Sequence, residues 1–209
     1  MSTSSPLSRK NDRSVRSITR TQLESESIVS PIAPLQTPVR PDRLVEWFGG
    51  VNYGALERTL TGIKSMMNSS ADEITLLVSS FGGATGVAMT FYDAITGWLN
   101  PNLVTIGSGD VDSSGVIVFL AGRRRYLTRN TTLLLHLAGR TLEKDVRHSS
   151  ADLESMVKED KLKDEQYARV VAEACGGTIT AEYVLDLMKK NTLLTAEEAV
   201  AMGMAHGIV

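Results

Sequence analysis

The chain has 209 residues, of which 42% are apolar, and its 22 lysines and arginines against 24 aspartates and glutamates give a net charge of −2. This length predicts one domain or at most two, and the near-neutral charge gives no reason to expect nucleic acid as a partner. Because no apolar run approaches the roughly 20 residues of a membrane helix and no secretory signal core is recognisable, we expect no membrane contact.

Residues 1–41 are rich in Ser, Thr and Arg and are interrupted by prolines between residues 31 and 41. So polar a segment, with few aromatic residues, cannot bury enough apolar surface to fold alone. We therefore predict a flexible N-terminal arm, although its composition has a weak similarity to an organelle transit peptide.

Residues 42–148 are predicted to form an α/β head domain, because short apolar strands alternate with amphipathic helices. The predicted strands are Leu44–Phe48, Ile74–Val78, Leu103–Ile106, Arg125–Leu127 and Thr131–Leu137, and helices are predicted near 52–67 and 84–99. Apolar runs bounded by polar residues are typical of buried parallel strands, and this alternation predicts βαβ units with right-handed crossovers. The glycine pairs 49–50 and 82–83 are expected to end the first two strands.

Ser113 lies in Gly109–Gly115, which is predicted as a tight turn before the apolar run 113–121. Periodicity leaves helix and strand both open for that run, and the turn before it favours a helix. A serine between glycines is commonly only a turn residue. At a helix N-terminus, however, free N–H groups and the helix dipole favour an oxyanion, which makes Ser113 a candidate nucleophile.

His136 follows at the end of an apolar strand. Alone, such a histidine is more commonly a core residue, and His148 and His206 are weaker candidates for chemistry. A serine and a histidine, each held by a regular element, are the nucleophile and the base of acyl-transfer enzymes. The glycine turn at 82–83 follows another parallel strand, at the edge where such sheets place their sites. We therefore predict a serine hydrolase.

Residues 149–176 are predicted as one long helix, since neither Gly nor Pro interrupts Ser149–Ala174. Its apolar side chains share one face: Leu153, Met156, Val157, Tyr167, Val170, Val171 and Ala174. About 25 helical residues span about 37 Å, which is more than a compact domain of this size accommodates. We therefore expect a projecting handle helix that buries its stripe on another surface.

Residues 177–209 are predicted to return to the head as its C-terminal helical part. A helix is expected over 181–189, and Thr195 with Glu198 forms a capping box for a last short helix. Cys175 is the single cysteine, so an internal disulfide is excluded and a reducing compartment such as the cytoplasm is expected.

Four segments in this order and spacing resemble those of the proteolytic subunit of the Clp protease. They are Ser79–Gly83, Gly109–Gly115, Leu133–His136 and Leu193–Ala199. The resemblance extends from about Leu44 to Val209. It implies an α/β fold of the Clp/crotonase superfamily, in which repeated ββα units carry a parallel sheet and a long handle helix protrudes.

The resemblance implies a serine endopeptidase that cleaves peptides and unfolded polypeptides without a metal or other cofactor. Ser113 would be the nucleophile, His136 the general base, and the N–H groups of Gly83 and Ser114 the oxyanion hole. The strand around Arg125–Asn130 would hold the substrate by β-augmentation. Two stacked heptameric rings, a tetradecamer paired through the handle helices, would enclose a chamber that an ATPase chaperone feeds.

Three features depart from the family's pattern. Asn191 stands where the family has the third catalytic residue, an aspartate, and its amide can orient an imidazole without offsetting imidazolium charge. Asp186 is the nearest substitute, although a solvated helix residue is the simpler interpretation. Asp110 and Asp112 stand where the family has small or neutral residues. Their carboxylates would either oppose the formation of an oxyanion beside Ser113 or cap the following helix. No aromatic-rich segment of the kind that docks a Clp ATPase precedes Asp42.

Other functions stay open at this point. One is a structural paralogue that keeps the ring but has lost turnover, which Asn191 and the two aspartates motivate. Another is a crotonase-type acyl-CoA enzyme, which would use paired N–H groups but has no need of Ser113 and His136. A Ser-Lys peptidase is disfavoured because residues 123–125 are all arginine, which hardly ever releases its proton.

Overall fold

A parallel sheet forms the centre of the structure, a computed structural model that describes Leu35 and residues 39–209. Its strands are β1 (Leu44–Val51), β2 (Ile74–Gly83), β3 (Leu103–Val111), β4 (Arg124–Leu127) and β7 (Gly207–Ile208), adjacent in the order β1-β2-β3-β4-β7. Two further strands, β5 (Thr132–Leu135) and β6 (Thr192–Thr195), form an antiparallel pair that joins β3. The predicted α/β class with a parallel sheet is therefore confirmed. Nearly all of the predicted arm lies outside the described residues.

The helices agree closely with the predicted ones. They are α1 (Tyr53–Ser69), α2 (Thr85–Asp93) with a π-helical continuation over Ala94–Leu99, α3 (Ser114–Leu120), α4 (Ser150–Ala174), α5 (Ala181–Lys189) and α6 (Ala196–Ala201). Capping boxes fix the starts of two of these helices: Ser149 and Asp152 form one on α4, and Thr195 and Glu198 form the predicted one on α6. No helix within residues 39–209 combines the length and apolar character that crossing a bilayer requires.

The first three strands are longer than predicted. The pairing of β1 with β2 continues through Gly50↔Gly82 and Val51↔Gly83, after an irregularity at Phe48. Gly49, Gly82 and Gly83 adopt positive φ values, so here the glycines bend the strands without ending them. The turn predicted over 109–115 is likewise reduced, because β3 runs to Val111 and only two residues separate it from α3.

The core lies between the sheet and the helices. The rings of Trp47 and Phe91 meet edge to face with centroids 5.2 Å apart. Helix α3 is buried along its whole length, because it packs on β2 and β3 and also contacts α2 and α4. Such an environment explains why its sequence is apolar on every side.

Only part of the apolar stripe of α4 packs against the rest of the chain. Tyr167, Ala168 and Val171, near the C-terminal end of the helix, are buried in the core. In the N-terminal half, Leu153 and Val157 are 44% and 52% exposed. The helix therefore leaves an apolar surface that its own head domain does not cover.

Strand β4 is an internal strand, which corrects one expectation. It pairs with β3 on one side and with β7 on the other. Arg125 is buried, and its guanidinium donates hydrogen bonds to the carbonyls of Gly122, Ala174, Gly203 and Met204. Both edges of β4 are therefore paired, so residues 125–127 offer no free edge to a substrate. The prediction that this part of the segment 125–130 binds substrate by β-augmentation is wrong.

Candidate active site

Ser113 is held in a strained conformation between β3 and α3. Its φ of 55° and ψ of −129° are uncommon for a residue other than glycine, and such conformations cluster at functional sites. Its N–H donates to the carbonyl of Leu134 at 2.8 Å. Its own carbonyl accepts from Val116 N at 3.0 Å and from the Tyr167 hydroxyl at 3.0 Å. Contacts from three elements therefore fix the Ser113 backbone.

The end of β2 lies directly against Ser113. A Cβ atom added at Gly82 would stand 2.6 Å from Ser113 Cβ, and one added at Gly83 would stand 2.5 Å from Val51 O. Only glycine therefore allows both close approaches. Ser114 is the first residue of α3, where a backbone N–H has no partner within the helix. Gly83 lines the same groove as Ser113, so the N–H donors predicted for an oxyanion lie on two elements that meet there.

His136 follows β5 directly and lines this groove together with Ser113. The groove has a volume of about 460 Å³, and residues 81–85 and 138–140 form much of its wall. A second, smaller cavity of about 20 Å³ is also lined by Ser113 and His136. Among the described residues no hydrogen bond reaches the Ser113 hydroxyl. Catalytic hydrogen bonds are often long without substrate and tighten when it binds.

Asn191 and His136 flank the end of the pairing between β5 and β6. The last pair is Leu135↔Thr192, His136 directly follows β5, and Asn191 directly precedes β6. Asn191 is exposed and has a φ of 49°. Within the described part of the chain, no hydrogen bond joins its amide to His136.

The structure distinguishes the contacts of three aspartates whose roles the sequence left open. Asp186 is exposed on α5 and pairs with Lys189 at 2.9 Å, which lowers the pKa of its carboxyl, as expected of a solvated helix residue. Asp110 is exposed on β3. Asp112 does not cap α3: its Oδ1 accepts a hydrogen bond from Leu134 N at 2.9 Å. Its carboxylate therefore fastens β5 to the turn that carries Ser113.

Sequence reasoning missed two residues of α4 that reach the site. The sequence indicates Tyr167 only as part of the apolar stripe. Its hydroxyl donates a hydrogen bond to the Ser113 carbonyl, and burial raises the pKa of this phenol far above its usual range. Asp164 lies in the densely charged centre of the helix, and its Oδ1 accepts from Ala138 N at 2.7 Å. Helical spacing places both residues on one face, but no local pattern indicates what that face contacts.

Charged side chains line the outer part of the groove. Arg140 bonds to Glu159 at 2.6 Å and to Asp160 at 2.8 Å, and Lys163 bonds to Glu159 at 2.5 Å. Lys163 and Arg140 together lower the pKa of Glu159 to about 2. In the part of the chain that the structure describes, no cluster of three or more His, Cys, Asp or Glu side chains is suited to hold a metal ion.

Comparison with known proteins gives consistent likenesses. The family model described as Clp protease matches residues 55–209. ATP-dependent Clp protease proteolytic subunit 2 of Gluconobacter oxydans is 29% identical over 220 residues, covering 95% of this chain and 94% of that protein. The subunit 2 of Pseudomonas aeruginosa is 29% identical over 163 residues, covering 77% and 78%.

A solved structure is similar as well. An asparagine-to-aspartate mutant of ClpP1 from Listeria monocytogenes has a TM-score of 0.70 and 25% sequence identity to this chain. The likeness covers 80% of this chain and 91% of that one. The central sheet and the helices around it are therefore shared with a protein of known structure.

Proposed function

This chain belongs to the Clp protease family, as the four sequence segments predicted, and from that premise we propose that it is a serine endopeptidase. Ser113 is the proposed nucleophile and His136 the general base. The observation that supports this assignment is the meeting of Ser113, His136 and Gly83 in one groove.

The proposed reaction begins when Ser113 Oγ attacks the carbonyl carbon of a peptide bond and His136 takes the hydroxyl proton. The N–H groups of Gly83 and Ser114 stabilise the resulting oxyanion. His136 then gives its proton to the leaving amine, and an acyl-enzyme on Ser113 remains. Water attacks this ester with His136 again as the base, which releases the carboxylic acid and restores the serine.

We propose that the substrate lies extended along residues 81–83. The pairing of β2 with β3 has its last pair at Ser80↔Val111, and beyond it β2 lines the groove that contains Ser113. An extended peptide can add to such a strand end through main-chain hydrogen bonds, which gives little dependence on its sequence. Peptides and unfolded polypeptides fit this kind of recognition.

We further propose an assembly of two stacked heptameric rings joined through α4, because the N-terminal half of this helix exposes apolar side chains. The names of the relatives describe subunits of ATP-dependent proteases. We extend an ATPase partner from these names to this chain. The cytoplasmic location and the domain division at residues 41, 148 and 176, which were expected from the sequence, are part of the same proposal.

Labelling with a fluorophosphonate probe tests this function. Such probes react covalently with an activated serine, so we expect modification at Ser113 of the assembled protein, located by mass spectrometry of its peptides. An intact assembly in which Ser113 stays unmodified would favour the structural paralogue instead. Exposed serines outside the groove, such as Ser65, provide the internal control.

Asn191→Asp is expected to raise kcat by about tenfold, because a carboxylate beside His136 offsets the imidazolium charge of the transition state. The measurement is hydrolysis of a fluorogenic peptide by the assembled protein. Asn100→Asp is a matched control, since Asn100 is also exposed at the end of a helix and has a φ of 45°. Equal rates for Asn191→Asp and the unaltered protein would exclude residue 191 as the third catalytic residue.

A further inference from the structure

The peptide unit between Ser113 and Ser114 is held through its carbonyl oxygen. This oxygen accepts two hydrogen bonds, one from Val116 N at 3.0 Å and one from the Tyr167 hydroxyl at 3.0 Å. A trans peptide is planar, so its carbonyl and its N–H point in opposite directions. A contact that fixes the direction of the Ser113 carbonyl therefore also fixes the direction of the Ser114 N–H, which is one of the two proposed oxyanion donors.

The conformation of Ser113 makes this peptide plane dependent on outside contacts. Its φ of 55° is in the left-handed range, but its ψ of −129° is far from the values of about +30° to +60° that accompany such a φ in residues other than glycine. A conformation of this kind persists only where the surrounding structure holds it. Because ψ describes the rotation of the 113–114 plane, loss of a bond to the carbonyl allows this plane, and with it the Ser114 N–H, to turn.

The two bonds to the Ser113 carbonyl come from different parts of the chain. Val116 lies in the first turn of α3, so its bond is local to that helix. Tyr167 lies 54 positions beyond Ser113, on the part of α4 that is buried in the core, and is only 4% exposed. Two donors at different positions constrain the tilt of the plane more than the helical bond alone. Tyr167 therefore adds a constraint that depends on the packing of α4.

Tyr167 is suited to this task because it stays a neutral donor. Burial raises the pKa of its phenol far above the usual range, so the proton remains on the oxygen throughout the neutral range of pH. A carbonyl oxygen can only accept a hydrogen bond, so the hydroxyl is the donor. The smaller cavity of about 20 Å³ is lined by Ser113, Ser114, His136 and Tyr167 together. The phenol therefore lies beside the groups of the proposed reaction, while its hydrogen bond goes to the main chain.

We propose that Tyr167 is a positioning residue for the oxyanion hole, which holds the Ser113–Ser114 peptide plane so that the Ser114 N–H faces the groove. The inference rests on the proposed function. Tyr167 does not contact the reacting atoms, and no proton passes through it. Its hydroxyl fixes one donor before the substrate arrives, and a donor that is already aligned stabilises the developing oxyanion without reorganisation. The other donor, Gly83 N–H, belongs to β2 and does not depend on this bond.

Tyr167→Phe removes the hydroxyl and keeps the ring, so it isolates this hydrogen bond. Complete loss of an oxyanion donor commonly lowers kcat by about a hundred- to a thousandfold. Here the donor remains and loses one of two constraints, so we expect kcat for a fluorogenic peptide to fall by about ten- to thirtyfold, with KM unchanged within about twofold. Tyr92→Phe is the matched control, because Tyr92 is a partly buried tyrosine of α2 that packs on the core outside the groove. It should leave kcat and KM unchanged.

A transition-state analogue distinguishes positioning from a merely structural role. A peptide boronate forms a tetrahedral adduct with the serine, in which a boron-bound oxygen occupies the oxyanion hole. Its inhibition constant should therefore rise in Tyr167→Phe by the same factor as kcat falls. Tyr167→4-aminophenylalanine places a neutral N–H donor at the same position, and should restore most of both losses. Unchanged kcat in Tyr167→Phe, or a fall in kcat without weaker boronate binding, would overturn the proposal.

The proposed function and this inference fail in different ways. If the peptidase proposal is wrong, fluorophosphonate leaves Ser113 of the unaltered protein unmodified. If only the inference is wrong, Ser113 is labelled at the same rate in Tyr167→Phe as in the unaltered protein. Where the inference holds, labelling of the variant is complete but slower by about the same factor as kcat, because the phosphonyl oxygen of the probe also occupies the oxyanion hole. Thermal unfolding and light scattering on the same samples verify that the variant is folded and assembled.

Discussion

Ser113→Ala is expected to lower kcat/KM for peptide cleavage by at least about a thousandfold, because no acyl-enzyme can form without its hydroxyl. The assembly should keep its size, since the contacts that fix residue 113 are made by its backbone, through Leu134, Val116 and the Tyr167 hydroxyl. Light scattering and a fluorogenic peptide assay on the same sample measure both effects.

The matched control for this variant is Ser65→Ala, because Ser65 is exposed on α1 and lies outside the groove. It should leave both cleavage and particle size unchanged. If Ser113→Ala cleaved peptides at the unaltered rate, the nucleophile would have to be another group, and the proposed mechanism would be wrong.

The double variant Leu153→Asp/Val157→Asp is expected to divide the particle into single rings. Both side chains are exposed on α4 on one surface with Leu162, and in the proposed assembly this surface packs against the opposite ring. Burying an unpaired carboxylate there would cost several kcal/mol per contact, and the cost recurs in every copy of a ring. Light scattering should therefore report about half the particle mass.

Point substitutions are a sharper test here than removal of the helix. Tyr167, Ala168 and Val171 belong to the core, so deleting α4 would disturb the head domain as well. Arg169→Asp introduces a carboxylate at an exposed position of the same helix outside that surface, and should leave the particle intact. Circular dichroism verifies that helix content is retained. A full-sized particle from the double variant would show that this half of α4 does not join the rings.

The positions of the helices and the capping box of α6 were predictable because the signals for them are local. The capping boxes at Ser149 and Thr195 place their interacting groups three residues apart, so the start of each helix is encoded within one turn. The bounds of α5 agree with the predicted 181–189 for the same reason. The strand ends were less predictable, because the pairing of Gly50 with Gly82 depends on residues that are distant along the chain.

The sequence by itself determined the α/β class, the helices, the family and the candidate pair Ser113 and His136, since each is encoded in short patterns. The tertiary structure decided that β4 is enclosed, and that Asp112 and Asp164 hold the segment of His136. The hydrogen bonds of these two aspartates span 22 and 26 positions of the chain, and the bond from the Tyr167 hydroxyl to the Ser113 carbonyl spans 54 positions. Such contacts arise from the packing of α4 and β5 around the turn at Ser113, which no local pattern encodes.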